Sequence, residues 1–167
     1  MIHTTLKRVC AAIVWSWLAA SFLHGVSHLA VGAPLSPLPP SLLGLGVGVE
    51  LFFSLGPLVA LWLLYTGWMR GGAWLLVLTM FIALLWGFGG HFLFPGGDNI
   101  IAHMSSPGGP AFLLTSLLVL LLPWAGLIAG VYALLEARRQ PSRPGAARGG
   151  DEPGSKEASL LHAGRQR

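Results

Sequence analysis

Ala111-Phe112-Leu113-Leu114-Thr115-Ser116-Leu117-Leu118-Val119-Leu120-Leu121-Leu122-Pro123-Trp124-Ala125-Gly126-Leu127-Ile128-Ala129-Gly130-Val131-Tyr132-Ala133-Leu134-Leu135 contains no charged residue. At about 1.5 Å per helical residue, such a run is long enough to cross a hydrocarbon core of about 30 Å. Three further stretches read the same way, at about 10–31, 42–65 and 73–94. None alternates with the period of a strand, and all are too long for barrel strands of about 10 residues. The expected fold is therefore all-α, a membrane-spanning four-helix bundle over residues 1–136. Composition agrees: 54% of the residues are hydrophobic and only 10% charged, too little charge for an ordinary soluble domain. The first stretch follows Lys7 and Arg8, which is also how a signal peptide begins, but its apolar run continues past any plausible cleavage point.

Charge placement sets the expected orientation. Lys7 and Arg8 precede the first span, Arg70 lies between the second and third, and Arg138, Arg139, Arg143, Arg148, Lys156, Arg165 and Arg167 follow the fourth. The connections at 32–41 and 95–110 contain neither Lys nor Arg. The positive-inside rule then puts both termini in the cytoplasm, in a multi-pass protein of the plasma membrane. Residues 137–167, rich in Pro, Gly, Ser and Arg, have too few large apolar side chains to offset their ordering entropy and read as a disordered basic tail. That tail suits an anionic leaflet. It does not suggest nucleic acid, because no aromatic residues are interleaved with its charges. The single cysteine, Cys10, supports no disulfide framework.

Both uncharged connections carry turn chemistry. Pro34, Pro37, Pro39 and Pro40 stiffen the first, while Pro95-Gly96-Gly97 breaks the second ahead of a short interfacial turn over Ile100 to Met104 that Asp98 could cap. The pairs Gly44/Gly48 and Gly126/Gly130 are spaced for close helix contact, within the bundle or between copies. Pro57 and Pro123 are expected to kink their helices.

Against this background His24, His28, Glu50, His91, Asp98 and His103 stand out. An ionisable group costs about 2.5–3.5 kcal/mol at the centre of a span, so each needs a partner or a function. His24, His28, Glu50 and His91 fall in the outer halves of their spans, with Asp98 and His103 in the connection that follows. His24 and His28 share a helical face, the spacing at which two imidazoles grip one ion. Zn, Cu or Fe would find further ligands in Glu50, His91, Asp98 or His103. The same groups can instead handle protons or meet a quinone headgroup, and His24 with Glu50, at similar depth, is the expected central polar contact. The plainest alternative makes them structural hydrogen-bonding glue in a non-catalytic scaffold.

The stretch Leu23-His24-Gly25-Val26-Ser27-His28-Leu29, followed by Glu50, Gly56 and a short turn with Arg70, resembles the DoxX-like family of small four-helix membrane proteins over about residues 7–135. The family has Lys where this chain has His28. The resemblance implies an accessory subunit in a redox setting, quinone-linked in some members, partnered by the bilayer and by another membrane subunit. No catalytic triad, phosphate-binding Gly-Lys-Ser/Thr loop or paired-cysteine knuckle is present, which points away from an independent catalytic activity. Thr79, Thr115 and Ser116 are too few to line a continuous pore through the last two spans.

Overall fold

A computed structural model describes residues 2–33, 43–93 and 99–139. Four helices are long and apolar enough to cross a membrane, spanning Thr4–Val31, Gly44–Tyr65, Met69–Leu93 and Gly109–Arg139. We label the elements α1 (Ile2–Val31), α2 (Leu43–Tyr65), α3 (Met69–Phe88, continued by a π-helical turn over Gly89–Leu93), α4 (Ile100–His103) and α5 (Gly109–Arg139). The expected tail lies outside the described residues from 140 onward, and α5 runs through Ala137, Arg138 and Arg139, three residues past the expected boundary at 136. α1 begins well before its apolar run, because nothing in Thr4 to Arg8 breaks a helix once hydrogen bonding has propagated.

Two glycines close helices by adopting a backbone that side chains disfavour. Gly32 (φ 67°) ends α1, with the Ala33 amide donating to the His28 carbonyl at 2.9 Å and the Gly32 amide to Leu29 at 3.3 Å. Gly67 (φ 97°) ends α2 in the same way, with the Trp68 amide donating to the Leu63 carbonyl at 2.9 Å. These bonds pair carbonyls that a helix end otherwise leaves unmatched. At α4 the cap is Asn99, not its neighbour Asp98: the Ile101 amide donates to Asn99 Oδ1 at 3.0 Å, and Asp98 lies outside the described residues. Pro57 and Pro123 sit inside continuous helices and are fully buried.

α3 packs between α2 and α5, and α1 packs on α5, whereas α1 and α2 touch sparingly. Small residues set the close approaches. A side chain at Gly72 would meet the backbone of Ala60 and Leu64, one at Gly126 would meet Met80, and one at Gly130 would meet Val77. Gly126 and Gly130 thus serve packing within the bundle, while Gly44 and Gly48 face open space. The core cluster holds the fully buried Cys10, Val14, Leu64, Leu76 and Met80, and Phe112 is fully buried outside it. Outward faces are as apolar as inward ones, with Phe22, Leu29, Trp62, Leu121 and Ile128 mostly exposed. A helix apolar all round is suited to lipid rather than water.

Candidate functional site

One end of the bundle gathers the histidines. His24 is the hub: its ring centroid lies 4.5 Å from that of His28 and 4.7 Å from that of His91, both edge-on. His24 and His28 come from successive turns of α1, as their spacing requires. His91 is delivered by the π turn, where Gly89 and Gly90, with little intrinsic preference for an α-helix, permit the wider winding. His28 and His91 are only 5% and 4% exposed. Phe112 of α5, fully buried, packs against all three rings and against His103, at centroid distances of 5.1–6.0 Å.

A hydrogen-bonded chain runs through this cluster. Thr115 Oγ1 lies 2.9 Å from the Ala111 carbonyl and 3.1 Å from that of Phe112, so its proton is directed into its own helix. Its oxygen then accepts from His24 Nδ1 at 3.2 Å, and the Ser27 hydroxyl oxygen lies 2.9 Å from it. With Nδ1 protonated, His24 Nε2 is the acceptor, and His28 Nε2, 3.0 Å away, donates to it. This tautomer assignment follows from the network. The Ser27 hydroxyl donates to the His24 carbonyl at 2.7 Å, fixing the backbone beneath the hub.

The chain borders a cavity of about 280 Å³ set between α1, α2 and α3, with Val119 of α5 completing its lining. Its polar wall is His24, His28, His91 and Glu50, and its aromatic wall is Trp17, Phe53 and Trp86. The aromatic groups are linked edge to face, Trp17 to Phe53 at 6.5 Å and Phe53 to Trp86 at 6.4 Å. Trp17 is 4% exposed, and its indole N–H is buried with no acceptor among the described residues. Leaving such a donor unmatched costs about 1–3 kcal/mol.

Four of the six residues singled out in the sequence, His24, His28, Glu50 and His91, therefore meet at one cavity. His103 stands apart from it, stacked edge-on against Phe112 at 5.3 Å. Asp98 lies outside the described residues. The direct His24 to Glu50 contact expected from depth is replaced by a shared wall, since both ring nitrogens of His24 are engaged by Thr115 and His28. The physical reason is the packing order: α1 leans on α5 and is held off α2 by the cavity, so the polar partner His24 finds on another helix comes from α5. Glu50 is exposed on the α2 side of that opening. Among the described residues no three of His, Cys, Asp and Glu are arranged to hold one metal ion.

Three contributors were not singled out in the sequence. Ser27 sits inside the His-Gly-Val-Ser-His stretch and carried a signal as a polar residue on the histidine face. Thr115 was visible as an isolated hydroxyl in an apolar run. Trp17 gave no signal. Comparison with protein-family models, with curated proteins and with solved structures finds no match for this chain.

Proposed function

We propose that this chain is an accessory, redox-linked membrane subunit whose histidine-lined cavity receives the headgroup of a lipid-soluble carrier of the quinone type and exchanges protons with it. The observation that carries the reading is the Thr115–His24–His28 chain opening onto a cavity that also contains Glu50 and an aromatic wall. The aromatic wall of Trp17, Phe53 and Trp86 suits a planar carbonyl ring, whose oxygen supplies an acceptor for the unmatched Trp17 N–H. Imidazoles bonded to one another pass a proton by exchanging donor and acceptor roles, and Glu50 gives it a second station. Electrons come from another subunit, in keeping with the DoxX-like resemblance. In this reading both termini are cytoplasmic and the cavity lies in the outer half of the plasma membrane. Cysteines placed at Ser36 and Ser105 should then react with an impermeant thiol reagent from outside intact cells, and one at Ser155 should not.

The test uses Gly25, which lines the cavity with open space where a side chain would project. Gly25→Phe fills the cavity without removing any His or Glu. Quinone should be found by absorption and extraction of the purified full-length protein and should be lost from this variant while helicity and melting are kept. Absence of quinone from both proteins, or equal retention, would overturn the proposal.

A second reading rests on the 3.0 Å between the Nε2 atoms of His24 and His28. That is close to the roughly 3.3 Å separating two ligands on a tetrahedral ion with bonds of about 2.05 Å. Zn, Cu or Fe found by elemental analysis, and lost in His28→Phe, would favour it.

A further inference from the structure

The opposite end of the bundle holds a second recess, of about 250 Å³, lined by Arg70, Trp74, Leu134 and Arg138. α3 and α5 run antiparallel here. Arg70 lies in the first turn of α3 and Arg138 in the last turn of α5, while Trp74 and Leu134 lie one turn further into the bundle on the same faces. The recess is therefore cationic at its mouth and apolar below. Two guanidinium groups from separate helices converge on it, and among the described residues neither has an ion-pair partner. Among the described residues, the one ion pair at this end joins Arg139 to Glu136, at 3.6 Å. Two like charges sharing a recess call for an anion between them, and the guanidinium fork matches phosphate oxygens two at a time. Trp74 is 59% exposed one turn inside the charged end of its span, a position that suits an interfacial indole. Lys7 over the Tyr65 ring, 5.7 Å from its centroid, adds a further cation and aromatic at the same end.

We propose that this recess binds the phosphate of an anionic phospholipid from the adjoining leaflet, with an acyl chain lying along Trp74 and Leu134. Basic pockets between spanning helices are a general means of holding such headgroups. The site is separate from the histidine cavity and stands whether or not that cavity binds a quinone.

The test is lipid retention by full-length protein, purified from mixed phosphatidylglycerol and phosphatidylcholine bilayers and weighed intact by mass spectrometry. Wild type should retain phosphatidylglycerol, and R70Q/R138Q should retain it at least about tenfold less, the loss expected when charge-assisted bonds are removed. Arg139→Gln, which removes one positive charge at the same end but outside the recess, should retain it as wild type does. If R70Q/R138Q does not fold, R70K/R138K keeps the charge without the fork and should retain an intermediate amount. Brominated acyl chains on phosphatidylglycerol should quench a fluorescence component that Trp74→Phe removes. Undiminished retention by R70Q/R138Q, or by R70K/R138K where it stands in for it, would overturn the proposal. So would an equal loss in Arg139→Gln, which would mean diffuse attraction. Displacement by millimolar inorganic phosphate would overturn the lipid assignment in favour of the free ion.

Discussion

The two ends of this bundle are built on opposite plans. At the arginine end, α2, α3 and α5 close tightly over glycine contacts, and the charged groups stand at the rim of a shallow recess. At the histidine end the helices part, α1 leaving α2, and ionisable groups line the interior instead of the rim. Charge at a membrane surface is cheap because water and headgroups solvate it, whereas charge or hydrogen-bonding capacity within a span must be matched by protein. The arginine end thus needs only placement. The histidine end needs a network, and has one in Thr115, His24 and His28.

The largest effect should come from Phe112→Ala, which removes the ring against which all four described histidines at this end pack. A loss of about 3–5 kcal/mol is expected for a buried phenylalanine, read as a fall in melting temperature in detergent. A smaller loss would mean that the histidine end carries little of the fold.

Glycine substitution should separate the two ends more sharply. Gly72→Ala drives a methyl into the backbone of Ala60 and Leu64 and should cost about 1–3 kcal/mol. Gly25→Ala meets nothing and should be neutral or stabilising by about 0.5–1 kcal/mol, from helix preference alone. Equal destabilisation in thermal melts would contradict the contrast in packing.

Thr115→Val removes the hydroxyl that pairs with His24 and meets Ser27, while Thr79→Val removes a hydroxyl bonded only within its own helix, to the Leu75 and Leu76 carbonyls. The first should cost about 0.6 kcal/mol, the average for interhelical polar contacts in membranes, and the second less. The smallest effect on stability is expected for Glu50→Gln, since Glu50 lies on the open side of the cavity. If the cavity takes a quinone, as proposed, proton exchange with it should nonetheless slow. A large loss of stability there would show that Glu50 has a structural role instead.

Much of this architecture was legible because lipid makes a simple demand: long apolar runs, with ionisable groups only where something uses them. That demand gives the spans, and it singles out His24, His28, Glu50 and His91 as residues needing an explanation. Partner identity was less legible. Depth along a helix can be counted from the sequence, but the angle at which a residue faces its neighbours depends on packing order, and α1 packs on α5 rather than on α2. Thr115 therefore takes the place expected of Glu50. The π turn that swings His91 inward had a trace in Gly89-Gly90, yet paired glycines fit many backbones. Trp17 was hidden because a tryptophan in a span is ordinarily read as packing, and its unmatched N–H emerges only once the helices are assembled.

The central claim, that the histidine chain faces a headgroup cavity, is tested most directly by nitrogen-15 spectra of histidine-labelled full-length protein in bilayers, with and without a short-chain benzoquinone. The account predicts His24 protonated on Nδ1 and His28 on Nε2, with both sets of resonances shifting when the quinone is added. His24 protonated on Nε2, or histidine resonances indifferent to the quinone, would contradict it.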